Sequence, residues 1–344
     1  MADFDAKNST IPKISDKPFR AQKSSKKSSE KSSKKPAKKT KSEKAKPEKP
    51  SSKSPKSEKP QKPLKKLGFT VKTNKKGKTR HIIYAVLTIV IAVGIISTAY
   101  NFIRWRVEVD ITDNEINQAR EVAAKVKVED TDQTEIIYSD EADGSPYEKY
   151  IKMDLMNVDL TSLKSTNDAT VGWIQVPGTR IDYPYVQTTD NDFYLHHSFD
   201  KTWNSAGWVF LDYRNRTSLT GNKNNIIYAH GRVDGSMFGT LKNVLDSTWQ
   251  DNIDNHIVKT SSTSEDALWQ VFSVYRTPVT SDYLQTDFSD SNEYVKFLAM
   301  LQSRSAYKFQ ASLAKTDRII TLSTCIGSDD RVVLHAKLIK LSRH

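Results

Sequence analysis

Cysteine is almost absent from this chain of 344 residues, which contains only Cys325. A single thiol allows no disulfide within the chain, and it excludes zinc ribbons and other metal clusters built from several cysteines. Aromatic residues are scarce in residues 1–81, where Phe4, Phe19 and Phe69 are the only ones. The remainder of the chain has the composition of an ordinary globular protein. A collagen-like or wholly disordered chain is therefore excluded as well.

The charge is divided into two opposite parts. Residues 1–81 carry 27 basic and 7 acidic side chains, a net charge of +20, whereas residues 82–344 carry 26 and 34, a net charge of −8. Residues 23–66 are nearly all Lys, Ser, Pro and Glu, which offer too little apolar surface to offset the entropy of ordering. We expect residues 1–81 to be a disordered cytoplasmic tail attracted to anionic lipids. Nucleic-acid binding is the alternative, and the lack of base-stacking aromatics disfavours it.

An uncharged apolar run covers residues 82–103. As a helix, 22 residues span about 33 Å, enough for a hydrocarbon core of about 30 Å. Basic residues crowd the N-terminal side of the run and acidic residues soon follow it, so the positive-inside rule places the N-terminus in the cytoplasm and residues 104–344 outside the cell. A cleaved signal peptide is the alternative, because Ser97-Thr98-Ala99 resembles a cleavage pattern. The 81 residues before the run disfavour it.

The part predicted to lie outside the cell begins with a helical and linker region, residues 104–165. Thr112 and Glu115 have the spacing of a capping box, and Ile116, Ala119 and Ala123 follow at helical spacing, which predicts a helix of about four turns that starts near Thr112. The acidic, turn-rich residues 129–145 indicate a linker or surface loop.

Residues 166–344 have the sequence pattern of a mostly β domain with a few helices. Short apolar runs between turn-forming residues predict strands and favour a sandwich or barrel. The runs are VGWIQV (171–176), IDYPYVQ (181–187), GWVFLDY (207–213), NNIIYAH (224–230), LWQVFSVYR (268–276), RIITLSTC (318–325) and VVLHAKLIKL (332–341). One helix is predicted over residues 292–303, with Asp290 and Glu293 at its start. Four apolar side chains share one of its faces: Tyr294, Phe297, Leu298 and Leu301.

The lone thiol lies where a predicted strand gives way to a polar loop, a position at which rigid scaffolds present reactive groups. The alternative is a buried structural cysteine. A thiol nucleophile needs a base or counter-charge, and among the seven histidines His230 also ends an apolar strand. His335 lies inside the last strand, and we expect it on one strand face. The two strand exits therefore favour His230 over His335 as the partner of Cys325.

Arg331 follows Cys325 by six residues, at the entry of the next strand. A connection of that length can fold back so that the guanidinium faces the thiol. Arginine stays protonated, but it can stabilise a thiolate or a developing oxyanion. The alternative is an arginine in a surface ion pair with Asp329 or Asp330.

The sequence motifs around these residues resemble those of a known family. TLSTC (321–325) is similar to the TLxTC signature of sortases, the membrane-anchored cysteine transpeptidases of Gram-positive bacteria. Four further segments occur in the same order as in class B members: GWIQVPGT (172–179), IDYP (181–184), YAH (228–230) and DGSMFG (234–239). The resemblance covers residues 167–341. The short segment between Cys325 and Arg331 and the long lysine-rich tail depart from it.

The resemblance implies a closed eight-stranded β-barrel over residues 166–344 with His230, Cys325 and Arg331 as catalytic residues. Ser323 and Thr324 are candidates for substrate binding or oxyanion donors, and strand packing is their alternative role. The implied enzyme belongs with the thiol proteases and cleaves a C-terminal sorting signal on secreted proteins through a Cys325 thioester. It then transfers the acyl group to an amine of a peptidoglycan precursor or a pilin. We expect no cofactor, no metal site and no nucleic-acid partner.

Two other functions stay open. A cysteine peptidase that only hydrolyses would need the same thiol and histidine, but in papain-like enzymes the cysteine precedes the histidine in the chain. An anchored surface module that binds a partner without catalysis would leave Cys325 unreactive.

Overall fold

A computed structural model describes residues 75–123, 125–128, 133–137, 141, 144–326 and 330–344. The predicted tail therefore lies almost wholly outside the described residues, as do residues 327–329 between Cys325 and Arg331. Its described end, residues 75–81, is helical and not disordered as predicted, because the apolar helix extends back through it.

The described chain begins with one long helix, α1 (Lys75–Val122), which is long and apolar enough to cross a membrane. The rest of the described chain leaves its apolar residues between 82 and 103 uncovered. Its last turns instead bury one face against the rest of the protein, through residues at alternating spacings of three and four: Val109, Thr112, Ile116 and Ala119.

The predicted helix start at Thr112 is wrong, because α1 continues through it. The Thr112 hydroxyl donates to the Glu108 carbonyl 2.8 Å away, a bond made inside a helix and not at its cap. No proline or glycine occurs between Gly94 and Val122, so nothing in the covalent structure interrupts the helix.

Eleven strands and four further α-helices follow within the described residues. The strands are β1 (Lys125–Val128), β2 (Thr134–Ile136), β3 (Leu155–Val158), β4 (Thr170–Gln175), β5 (Asp182–Val186), β6 (Phe210–Leu211), β7 (Asn224–His230), β8 (Ile257–Ser262), β9 (Glu265–Pro278), β10 (Ile319–Ile326) and β11 (Asp330–Arg343). The helices are α2 (Tyr147–Tyr150), α3 (Thr161–Thr166), α4 (Ser247–Gln250) and α5 (Ser291–Ser303).

Eight strands close into a barrel in the order β4, β5, β6, β7, β10, β11, β9 and β8, and β8 pairs with β4. Strand β10 closes it by pairing parallel with β7 and antiparallel with β11. The C-terminal end of β11 extends beyond β10 and there pairs with β2, while β1 and β3 form a separate two-stranded sheet. The closed eight-stranded barrel with flanking helices confirms the expected fold class.

Alternate residues of β10 face opposite sides of the barrel wall, as the two-residue period of a strand requires. Ile320 and Leu322 belong to the barrel core with Ile227 and Leu334. Ile319 belongs instead to a second apolar cluster, formed against the outer face by α5 and the segment before it.

Helix α5, predicted over residues 292–303, packs against that outer face. It starts at the expected cap, where the Asp290 carboxylate accepts hydrogen bonds from the backbone amides of Asn292 and Glu293. The four apolar residues predicted to share one face are buried: Tyr294, Phe297, Leu298 and Leu301.

Candidate active site at the ends of strands β7 and β10

The register of three adjacent strands places the candidate residues in one row. Cys325 is the Cα partner of His230 in the parallel pair of β10 with β7. It is also the Cα partner of Arg331 in the antiparallel pair of β10 with β11. Neighbouring strands lie about 4.8 Å apart, so the backbones of His230 and Arg331 flank that of Cys325 at this distance on either side. Paired residues of adjacent strands share a face of the sheet, so positions 230, 325 and 331 belong to one face of the barrel wall.

His230 is held by the loop that follows β5. Its Nε2 lies 2.8 Å from the carbonyl oxygen of Leu195, and because a carbonyl can only accept, Nε2 must carry a proton and donate it. In the neutral ring Nδ1 is then the unprotonated nitrogen. Burial lowers the pKa of His230, and the positive charge of the nearby Arg331 acts in the same direction, whereas the bond to Leu195 opposes both.

Arg331 is half-buried on the other side of the row. Its Nη1 donates to the carbonyl oxygen of Asp330, 3.1 Å away. The Asp330 carboxylate instead lies 3.9 Å from Arg276, so Asp330 does not hold the Arg331 side chain in the surface ion pair considered from sequence. Asp329 lies outside the described residues.

A cleft of about 560 Å³ opens beside the row. His230 and Arg331 line it together with Ser323 and Thr324, so four of the five sequence-predicted site residues meet in one cavity. Cys325 is placed by its backbone, between the strands that carry His230 and Arg331. Apolar and aromatic side chains form much of the remaining wall: Leu195, Phe210, Tyr228, Val279, Tyr283 and Leu284.

Hydrogen bonds fix the walls of this cleft. The Tyr228 hydroxyl donates to the Asp212 carboxylate at 2.9 Å, and Asn191 donates to the same oxygen at 3.0 Å. Burial of Asp212 disfavours its charged form, but its bonds with Arg214 outweigh burial and lower its pKa. Arg214 also donates to the carbonyl of Leu284 at 3.1 Å, so it joins the two sides of the cleft.

Ser323 and Thr324 are both buried where they line the cleft. The Ser323 hydroxyl lies 2.9 Å from the Tyr283 hydroxyl, which joins β10 to the wall segment before α5. Thr324 pairs in register with Ala229 of β7 and Val332 of β11.

His335, the competing histidine, is fully buried away from the cleft. Thr321 donates its hydroxyl proton to Asn224, so it must accept from Nδ1–H of His335, 2.9 Å away. Nε2 of the neutral ring then accepts from the Tyr275 hydroxyl at 3.0 Å. Burial, aided by Arg304, lowers the pKa of His335 to about 3. It therefore has the strand-face, structural position expected of it.

The groups that support the row could not be predicted from the sequence. The Leu195 carbonyl that fixes the His230 ring is a backbone group, and no residue pattern reports such an acceptor. Asn191, Tyr283 and Leu284 come from connecting segments far from the motifs. Among the described residues no cluster of three His, Cys, Asp or Glu side chains is arranged to hold a metal ion.

Comparisons with known proteins agree with this architecture. A family model described as a sortase domain matches residues 174–339. Sortase B of Listeria monocytogenes is 30% identical over 242 residues, which cover 69% of this chain and 91% of that relative. Sortase B of Staphylococcus aureus is 33% identical over 185 residues, which cover 53% and 75% respectively.

A solved structure extends the similarity to three dimensions. The crystal structure of sortase B from Bacillus anthracis superposes with a TM-score of 0.54 at 31% identity. The superposition covers 68% of this chain and 99% of the crystallised one.

Proposed function

Because this chain belongs to class B of the sortase family, whose members are cysteine transpeptidases, we propose that Cys325, His230 and Arg331 carry out that reaction here. The substrate is a secreted protein with a C-terminal sorting signal. The acceptor is an amine of a peptidoglycan precursor, or alternatively of a pilin. The enzyme acts as a thiol protease when water replaces the acceptor.

The observation that carries this proposal is the row of three paired positions. Cys325 lies between His230 and Arg331 in the strand register, and the two flanking side chains line one cleft. A thiol nucleophile, a proton donor and a fixed cation are the groups that acyl transfer through a thioester needs.

In the first step the Cys325 thiolate attacks the carbonyl carbon of the scissile peptide bond. The carbon–nitrogen bond then breaks, and the leaving amine takes a proton from Nδ1 of protonated His230. An acceptor amine next attacks the thioester and gives a proton back to Nδ1, while the carbon–sulfur bond breaks and restores the thiolate. The bond between Nε2 and Leu195 leaves Nδ1 as the nitrogen that exchanges protons.

The protonation states set how much enzyme is ready to react. With ordinary pKa values of about 8.5 for cysteine and 6.5 for histidine, under about 1% of molecules hold both thiolate and imidazolium at pH 7. Burial lowers the pKa of His230, which makes the imidazolium scarcer still. A cation beside the thiol offsets part of this loss, because positive charge lowers a thiol pKa.

Arg331 supplies that cation. In the proposed reaction its guanidinium faces the carbonyl oxygen of the bound substrate and stabilises the negative charge that develops there. Ser323 and Thr324 contact the substrate along the adjoining wall of the cleft. The hydrogen bond between Ser323 and Tyr283 supports the shape of that wall.

We also propose that the apolar part of α1 anchors the enzyme in the cell membrane. Residues 82–103 span the cell membrane, with residues 1–81 in the cytoplasm and residues 104–344 outside it. The apolar stretch of α1 supports the span, and the basic residues on its N-terminal side support the orientation. Residues 104–165 connect the span to the catalytic barrel of residues 166–344.

Labelling with a vinyl-sulfone or other thiol-directed reagent at neutral pH tests the proposal. Cys325 should react in the wild type and much more slowly in His230→Ala. His196→Ala is a matched control, since this exposed ring lies 6.4 Å from His230 between ring centroids and does not line the cleft. An unreactive Cys325 in the wild type would favour a binding module that has no catalytic function. Release of only free acid when an amine acceptor is present would favour a hydrolytic peptidase.

A further inference from the structure

We propose that the Trp203 loop, residues 199–205, docks on the outer leaflet of the membrane with Trp203 in the lipid headgroup layer. This inference rests on the proposed membrane span of residues 82–103. It adds a second, peripheral contact between the catalytic domain and the bilayer.

Three consecutive residues of the loop attach to α1 just beyond the apolar run. The Arg104 guanidinium lies over the Trp203 ring, 4.9 Å from its centroid. Asn204 donates to the Thr112 hydroxyl at 3.1 Å, a bond buried on both sides. Ser205 donates to the Glu108 carboxylate. The loop therefore has a fixed height along the helix.

That height matches the headgroup layer. The Arg104 side chain points up the helix, because its Nε lies 3.2 Å from the Glu108 carboxylate, and one helical turn rises about 5.4 Å. Trp203 over this guanidinium is therefore about one turn above the end of the apolar run. The interfacial layer of each leaflet is about 5 to 8 Å thick, given a bilayer of about 40–45 Å around a core of about 30 Å.

The chemistry of the loop also fits this layer. Trp203 leaves 55% of its surface exposed, whereas Phe199 and Trp208 on either side are buried. Tryptophan has an apolar ring with one polar edge and is enriched at membrane interfaces. Arg104 and Arg106 are each paired with an acidic residue one turn along the helix, Glu108 and Asp110, so the affinity for this layer comes chiefly from the Trp203 ring.

The loop is connected to the active site. The backbone amide of Asn204 donates to the carbonyl of His196 at 2.9 Å, next to Leu195, whose carbonyl holds His230. Docking of the Trp203 loop would thus hold the cleft at a defined height over the membrane, within reach of substrates that are still attached to lipid.

Depth measurement by spin labelling tests the proposal on the full chain in phosphatidylcholine–phosphatidylglycerol nanodiscs. A label is attached at the exposed Thr202→Cys, next to the retained Trp203, in a Cys325→Ala background, and its exposure to oxygen is compared with its exposure to a water-soluble nickel chelate. Val93→Cys, in the middle of the apolar run, is the membrane control. Val122→Cys is the matched aqueous control, because it is 48% exposed and lies 18 residues beyond Arg104, about 27 Å up the same helix.

The label at position 202 should show a ratio of oxygen to nickel exposure severalfold higher than at position 122 and lower than at position 93. A ratio equal to that at position 122 would overturn the docking while the Val93 label still supports the anchor. A Val93 label exposed to nickel would instead refute the membrane span. If Thr202→Cys does not fold, the exposed Lys201 of the same loop takes the label and the same outcomes apply.

Discussion

The neutral state of His335 predicts a specific loss of stability in acid. A pKa of about 3 in the folded protein, against 6.5 for an ordinary histidine, means that protonating the buried ring costs about 5 kcal/mol. The pKa is lowered on folding, so the stabilisation is complete above pH 6.5 and is lost as the pH falls from 6.5 toward 3.

The perturbation is His335→Gln, which removes the titrating group. Its amide oxygen can still accept from the Tyr275 hydroxyl, but Thr321 loses the donor that it has in the wild type, which should cost about 1–3 kcal/mol at neutral pH. Between about pH 7 and about pH 4, the wild type should lose about 3 kcal/mol more unfolding free energy than the variant.

Urea unfolding of the full chain in a neutral detergent, followed at both pH values, measures this difference. The other acidic groups contribute equally to both proteins and cancel. His196→Gln is the control, because it makes the same substitution at an exposed histidine outside the barrel core. Equal pH dependence in the wild type and His335→Gln would refute a buried neutral ring, and with it the structural assignment of His335.

Four further predictions concern the reaction. Cys325→Ala should form no thioester while its circular dichroism and unfolding midpoint stay those of the wild type, and residual acyl transfer would exclude Cys325 as the nucleophile. Arg331→Ala should lower kcat/KM severely, and Arg331→Lys should restore little because a point charge lacks the planar fork of the guanidinium; full activity in Arg331→Ala would remove it from the mechanism. Burial lowers the pKa of His230, so the midpoint of the fall in kcat/KM on the acidic side of the pH profile should lie below pH 6.5. A midpoint above pH 6.5 would contradict the role of His230. EDTA should leave activity unchanged, whereas a loss that calcium reverses would reveal a metal requirement.

Much of the barrel could be predicted because its strands are short apolar runs that polar turns terminate. The run NNIIYAH coincides with β7 from Asn224 to His230. Strand β8, IVKTSS, was missed because polar residues fill most of it and its place depends on β4 and β9. Strand β2 lies within residues 129–145, predicted as a linker, because its pairing with distant β11 has no local signal.

The capping-box pattern at Thr112 also predicted the wrong start for the helix. A capping box acts only where the preceding residues leave the helical conformation, and nothing before Thr112 does so. The same residues instead serve contacts between elements, since Thr112 accepts a hydrogen bond from Asn204. Nothing in the sequence around Thr112 or Asn204 predicts this contact.

Part of the candidate site could be predicted from the sequence. His230 and Cys325 end apolar strands, which indicated that they lie at strand exits, and the family resemblance selected them with Arg331. Their alignment in one row depends on the register of β10 against two other strands, and register is set by packing over the whole barrel. The Leu195 carbonyl that orients His230 could not be predicted, because every residue has such a group.

Intact-mass spectrometry of the enzyme, incubated with a sorting-signal protein from its own organism and no amine acceptor, shows whether Cys325 carries the acyl group. We expect an added acyl mass that tandem fragmentation locates on Cys325, that hydroxylamine removes and that His230→Ala greatly reduces. An adduct on another residue, or none under conditions in which the substrate is cleaved, would contradict the proposed reaction.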